Sequence, residues 1–276
     1  MGAAPTHPEL LDWLAVEFME SGWSLKKLHQ LIVSSATYQQ SSSVAKNHPA
    51  LQKDAKNYLL WRQSRLRLDA EVVRDVSLAV SGLLSHKMGG PPVYPPIPDG
   101  VLGLGQVKRP WPLSKGEDRY RRGMYTFFKR TLPHPTLMTF DCPDANVACV
   151  NRTVSNTPLQ ALTLLNNESF VEASQALAKR LLTEEPGNAG AKSQAADNAR
   201  LAAAMRYCLA RTPRTDELDR LDTLLDNARA YYRDHPEEAA EMIGRFAAPT
   251  VPNAEAAAWT ATVRVLLNLD EFITRE

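Results

Sequence analysis

The stretch Asn151–Leu182, NRTVSNTPLQALTLLNNESFVEASQALAKRLL, constrains the fold of this 276-residue chain more than any other. Thr157 is suited to an N-cap, Pro158 to the first helical position where its missing N–H is no loss, and Gln160 to the third residue of a capping box. A helix is predicted to start there, with Leu159, Leu162 and Leu165 as its apolar face. Asn166-Asn167 interrupts it, and Phe170, Leu177 and Leu181 recur at helical spacing in a second helix. Two short helices joined by a polar corner cannot bury both stripes alone. The other walls must come from the rest of the chain.

Upstream, Pro8 to Glu20 places Leu10, Leu14 and Phe18 at four-residue steps, with Leu11 and Trp13 widening the apolar surface, and Gly22 stops the helix. Ser24 then caps a second helix along Leu25, Leu28, Leu31 and Ile32, so the chain opens with a helical hairpin. A further helix is predicted from Asp69, its expected cap, to about Leu84, with Val72, Val76, Ala79, Val80 and Leu83 buried. Between Lys87 and Lys115 glycines and prolines punctuate the chain too densely for a helix or a central strand. Val93, Tyr94, Ile97, Trp111 and Leu113 within it favour an ordered, packed loop. Arg121 to Thr131 reads either as a short strand or as extended coil.

Beyond Leu182 a Gly-, Ala- and polar-rich tract reads as an exposed connector over 184–198. Helices are then expected from Ala199, from Thr215 and from near Ala254, the last rich in buried positions such as Trp259, Val263 and Leu266. The expected fold is mainly α: a multi-helix orthogonal bundle with a long ordered Gly/Pro-rich loop and at most one short strand pair. Its expected divisions are an N-terminal region over 1–183, the connector, and a C-terminal helical subdomain over 199–276 packed on the first.

Composition narrows function by exclusion. A net charge of +1 disfavours a nucleic-acid binder, although Arg62 to Arg67 forms a short basic strip. No apolar run approaches the ~20 residues needed to span a bilayer, and the first residues lack an export-signal pattern. Familiar nucleophile elbows, phosphate-cradling glycine loops, calcium loops and zinc or haem cysteine motifs are missing, so no metal or cofactor site is read in this chain. Cys142 and Cys149 leave a disulfide open, since closeness in sequence does not fix the Cα separation a bridge requires.

The blocks HPELLDWLAVEF, WSLKKLHQLIVSSATYQQ, RLRLDAEVVRD, MGGPPVYPP, RRGMYTFFKRTLPHPTLMTFD, SNTPLQALTLLNN and AWTATVRVLLNLDEF cover nearly the whole chain. In that order they resemble the first planctomycete-specific domain, a domain of unknown function at the C-terminal end of planctomycete cytochrome-c-like proteins. The resemblance implies a cell-envelope setting and upstream partners in the parent protein: a cytochrome-c-like segment carrying haem c and a second planctomycete-specific domain. The abrupt start at Thr6-His7-Pro8 fits a C-terminal piece of such a protein. No reaction is implied.

Candidate ligand-binding residues are Arg65, Arg67, Arg130, His134, Asp141, Asp144, Arg152 and Asn156. Folded over the central helices, the arginines would suit carboxylate, sulfate or sugar hydroxyls, and His134 between two prolines would suit a positioned acid or base. Ion pairing at a solvated helix entry and capping account for the same residues more simply. Two readings follow: a structural or partner-binding helical module exposing an apolar patch at the first hairpin, or a carbohydrate- or anion-binding domain or hydrolase whose site gathers Arg130, His134, Asp141 and Arg152.

Overall fold

The computed structural model describes residues 4–104, 110–130, 132–184 and 193–275. Its contacts divide the chain into two compact units, one of Met1–Arg67 with Thr274–Glu276 and one of Leu68–Ile273.

In the first unit, α1 (Pro8–Glu20) starts on Pro8 and stops where Gly22 and Trp23 both take left-handed backbone, at φ +80° and +58°. Two such residues in succession reverse the chain tightly, and the Trp23 N–H closes the turn on the Phe18 carbonyl at 2.9 Å. Ser24 caps α2 (Leu25–Val33) by accepting from the Lys27 N–H at 3.4 Å. A short helix, α3 (Ala50–Lys53), follows, and Asp54 behind it accepts from the Tyr58 and Leu59 N–H groups. Strand β1 (Leu66–Arg67) pairs antiparallel with β2 (Thr274–Arg275), Leu66 opposite Arg275.

The second unit holds α4 (Ala70–Val80), α5 (Pro135–Thr139), α6 (Pro158–Asn166), α7 (Glu168–Glu184), α8 (Gln194–Leu209), α9 (Thr215–Asp234), α10 (Pro236–Ile243) and α11 (Asn253–Leu267). Helix α7 is its axle: Ala173, Leu177 and Leu181 are wholly enclosed. It packs against α4, α6, α8 and α11, and α11 in turn packs against α9 and α10 through Trp259 and Val263, both fully buried. Among the described residues the fold is mainly α, with one two-stranded sheet.

Several sequence expectations shift. The contacts divide at Arg67–Leu68, whereas helices before and after 184–198 share one core. Of the expected connector, 185–192 lie outside the described residues, and Gln194–Asn198 are the first turns of α8, with Ala196 and Asp197 buried. The strand pair lies at the ends of the first unit. Arg121–Arg130 instead forms a 3-10 turn at Gly123–Tyr125 flanked by single bridges, because Gly123 must approach α4 closely: a Cβ there would lie 2.8 Å from Glu71 Cα. Thr131 lies outside the described residues.

In α4 the enclosed face is Ala70, Val73, Arg74, Ser77 and Leu78, one position off the predicted stripe, and Val72 is exposed. In α6 Leu159 and Leu162 face outward while Gln160 and Leu164 are buried. The same cause acts twice: a polar side chain with distant partners takes the inner face.

The Gly/Pro segment is ordered where it is described, and it is fastened from below. Val93 exchanges backbone hydrogen bonds with Tyr125 and Phe127, each 2.8 Å, and Trp111 Nε1 donates to the Pro95 carbonyl at 2.7 Å. Arg121, with no exposed surface, donates to the carbonyls of Lys87, Gly89 and Pro91, and its guanidinium lies 3.8 Å from the Tyr125 ring centroid. Replacing Arg121 with Met strands those carbonyls, each at a cost of roughly 1–3 kcal/mol when left without a donor. Arg121→Met is therefore expected to lower unfolding free energy by about 3 kcal/mol or more and to open residues 87–115 to proteolysis, measured by urea denaturation and limited digestion.

Candidate functional site

Polar side chains collect in two places in the second unit, and the sequence candidates are shared unevenly between them. The first lies where the entry of α4 meets the approach to α6. Glu71, in the first turn of α4, receives a two-point contact from Arg152, Nη1 at 2.7 Å and Nη2 at 3.2 Å, and Asp69 stands 3.7 Å from the same guanidinium. Asp69 is therefore an ion-pair partner, and its side chain makes no cap to α4. Burial works to raise the Glu71 pKa, but the Arg152 hydrogen bonds and charge outweigh it and hold the carboxyl below its ordinary value. Cys142 points its thiol at Glu71, 3.7 Å away, and burial and that negative charge push its pKa up to about 11. It is thus a protonated thiol at neutral pH, without nucleophilic character.

Asp141 adjoins this cluster in left-handed backbone, φ +64°, a conformation short polar residues tolerate. Its carboxylate accepts from the Ser155 N–H at 2.9 Å and the Ser155 hydroxyl at 2.7 Å, which fixes the chain entering α6. Gln160 completes the arrangement. Its carbonyl accepts from the Thr157 N–H at 3.3 Å, and its amide donates to the Thr139 carbonyl and to Ser155 Oγ.

The second collection lies under the Gly/Pro segment. Arg119, almost fully buried, donates to both Glu172 oxygens at 3.0 and 2.7 Å and to Glu168 at 2.5 Å, and Arg245 reaches Glu172 at 2.6 Å. Arg74 donates to the Arg119 carbonyl at 2.8 Å and to Ser169 Oγ at 3.3 Å. Burial lowers the Arg74 pKa to about 10, a large cost for a guanidinium, with neighbouring Asp75 and Glu172 offsetting part of it. His134 precedes α5, is 4% exposed, and bonds the Pro96 carbonyl through Nε2 at 3.1 Å. Burial, with the nearby Arg74 charge, lowers its pKa to about 4.

The eight sequence candidates therefore separate. Arg130 and Asp144 are exposed and joined through Asn146, whose Oδ1 lies 3.1 Å from Arg130 Nε and whose N–H and amide reach Asp144. Arg152 and Asp141 serve the α4–α6 cluster, Asn156 is exposed beside it, and His134 is enclosed with no hydrogen bond to a carboxylate. Arg65 and Arg67 belong to the other compact unit, where Arg65 is exposed and Arg67 lies on β1. Sequence reasoning missed Glu71, Arg74, Arg119, Arg121 and Glu172 as the main polar connectors. The available signal was arginine recurring among glycine and aromatic residues in DRYRRGMY, where a solvated strip has no need of such neighbours. Among the described residues no group of three or more His, Cys, Asp or Glu is placed to hold a metal ion, and no helix is long and apolar enough to cross a membrane.

A different kind of surface occupies the first unit. Neither α1 nor α2 has a single buried residue. Leu10, Leu11, Trp13, Val16 and Met19 on α1, Trp23 in the turn, and Leu25, Leu31, Ile32 and Val33 on α2 are all exposed. Leu10, Trp13, Leu14, Leu31, Ile32 and Tyr38 wall an apolar groove of about 430 Å³. Contiguous exposed apolar surface of this kind is uncommon on a folded monomer.

Residues 1–225 match the PSD1 family, described as proteins of unknown function (DUF1553). The chain belongs to the PSD1 family. The match takes in the hairpin, the Gly/Pro segment, α6 and α7, and ends within α9, so α11 and its block AWTATVRVLLNLDEF lie beyond it. No curated protein and no solved structure matches the chain.

For this PSD1 member the His134 environment sets a pH dependence. A folded-state pKa of about 4 against an ordinary 6.5 means the unfolded chain binds the proton first. Stability from neutral His134 is complete above about 6.5 and is lost as pH falls toward about 4. Denaturation midpoints across that range are expected to decline in the parent chain and to flatten in His134→Gln.

Proposed function

We propose that this chain is a structural, partner-binding helical module whose docking element is the α1–α2 hairpin. The observation that carries the reading is that two helices rich in large apolar residues bury none of them. Helix α1 has apolar side chains on every side of its barrel, and a helix of that type is ordinarily enclosed by several neighbours. The energy at stake is large, since burying one such side chain contributes roughly 1.5–3 kcal/mol.

Charge describes the partner further. Helix α1 carries Glu9, Asp12, Glu17 and Glu20 with no lysine or arginine, whereas α2 carries Lys26 and Lys27 with no acidic residue. A complementary face is apolar at its centre, basic beside α1 and acidic beside α2. We take the partner, on the family resemblance, to be the upstream cytochrome-c-like segment and second planctomycete-specific domain of a planctomycete cell-envelope protein, with haem c held on that upstream part. The polar clusters of the second unit support a structural role for that unit, because Arg119 and Arg152 spend their charge on Glu168, Glu172 and Glu71.

The test is a titration of the recombinant upstream region of the parent protein into this chain. Binding at micromolar affinity or tighter is expected, with Trp13→Ala weakening it at least tenfold, in line with truncation of an aromatic anchor. No binding, or binding indifferent to Trp13→Ala and Leu31→Ala together, overturns the reading.

A further inference from the structure

Arg74, Thr126, His134 and Ser169, from α4, the segment after the 3-10 turn, the approach to α5, and α7, wall one enclosed cavity. It leaves about 10 Å³ for the centre of a water-sized molecule, about the minimum for a single water. Its remaining walls are Pro95, Leu137, Phe170 and Thr136, and the Thr136 hydroxyl already accepts from the Asn167 amide at 3.2 Å. Arg74, Thr126, His134 and Ser169 are all at least nine-tenths buried, and Ser169 already accepts from Arg74, which leaves Arg74 at 7%, Thr126 at 8% and His134 at 4% exposure. Each of these three retains one polar atom without a hydrogen-bond partner: Arg74 Nε, Thr126 Oγ1 and His134 Nδ1. Three unpartnered atoms on residues around one small cavity are costly, and native interiors rarely leave them so.

The donor and acceptor roles are fixed by chemistry. A carbonyl only accepts, so the bond to Pro96 puts the His134 proton on Nε2 and leaves Nδ1 an acceptor. Arg74 Nε only donates, and the Thr126 hydroxyl does either. One molecule must accept from Arg74, donate to His134 and bond Thr126 in either sense. A halide accepts alone and leaves Nδ1 unsatisfied; an apolar filler satisfies none.

We propose that this cavity is the binding site of a single structural water, bonded to Arg74 Nε, His134 Nδ1 and Thr126 Oγ1. That water joins α4 to the turn beneath the Gly/Pro segment and to the start of α5. It also holds His134 in the neutral tautomer that secures Pro96, so the loop and the helical core are fastened through one shared molecule.

Crystals of the full chain grown at neutral pH with sodium bromide test the assignment. A water-sized peak without anomalous signal, at about 2.7–3.2 Å from all three atoms, is expected. An anomalous bromide peak makes the cavity an anion site, and no peak makes it dry; either result overturns the proposal. In solution, long-range proton–nitrogen spectra are expected to show the Nε2–H tautomer of His134, with cross-relaxation from a long-lived water to its Hε1. Thr126→Val keeps the side-chain shape and removes one ligand, and is expected to weaken that cross-relaxation severalfold while the amide spectrum stays folded. A parent chain without the cross-peak, or a Thr126→Val variant that retains it in full, counts against the site.

Discussion

The second unit depends on how Arg121 resolves a problem posed by the Gly/Pro segment. Among its described residues this stretch has one short 3-10 helix, Val101–Leu104, so most of its carbonyls need donors from elsewhere, and many of its residues are prolines that supply none. A buried guanidinium has five N–H groups in a fixed fork, so one side chain answers the carbonyls of Lys87, Gly89 and Pro91 at once. The stacking of Tyr125 on that guanidinium and the Tyr94, Trp111 and Phe127 rings then give the segment an apolar underside. Trp111 continues the contact to His134. The loop thus behaves as a wall of the core, and the polar groups of Arg74 and Arg119 stay enclosed beneath it.

What was legible in the sequence follows the range of the interactions. Local chemistry read correctly: Pro8, Gly22, Ser24, Thr157 with Gln160, and the Asn166-Asn167 corner all act within a few residues of themselves. Phe170, Leu177 and Leu181 are buried as their spacing predicts. The faces of α4 and α6 did not read correctly, because Arg74 and Gln160 point inward toward partners as far off as Arg119, Ser169 and Thr139, while Ser77 turns its hydroxyl back onto the Val73 carbonyl. A periodicity argument places polar residues outside, and it has no means of knowing that acceptors forty-five and ninety-five residues away will satisfy Arg74. The packing of the C-terminal helices on the first region, expected on either side of 184–198, merges them into one core. A polar tract marks where the chain runs over the surface, but the core shared by α7 and α11 is a matter of tertiary packing.

The candidate site was legible as residue types and illegible as geometry. Arg152, Asp141 and His134 stand out in the sequence as polar residues that could converge on a ligand, a role that residue type alone does not decide. Their partners differ, however: Glu71 for Arg152, Ser155 for Asp141, a proline carbonyl for His134. A base needs a path to its proton and a nucleophile needs its charged form. The enclosed His134 and the protonated Cys142 meet neither need, and the carboxylates nearest the arginines already neutralise them.

The first unit reverses that economy. Where the second unit encloses even arginines, the hairpin leaves Trp13, Trp23 and Leu25 more than half exposed. Propensity and capping suffice to start α1 and α2, but isolated helices of such lengths are marginal in water, and most helical stability in proteins comes from packing an apolar face. The short turn at Gly22-Trp23 and the edge-on contact of Phe18 with Trp23 hold the two helices together without covering their outer faces. On the reading proposed above, the open face of these two helices, whose described residues include none that is buried, is where another folded body would sit. The opposed charges of the two helices would then give that body a preferred orientation, since reversing it would set a basic flank against Lys26 and Lys27 and an acidic flank against Glu9 and Asp12.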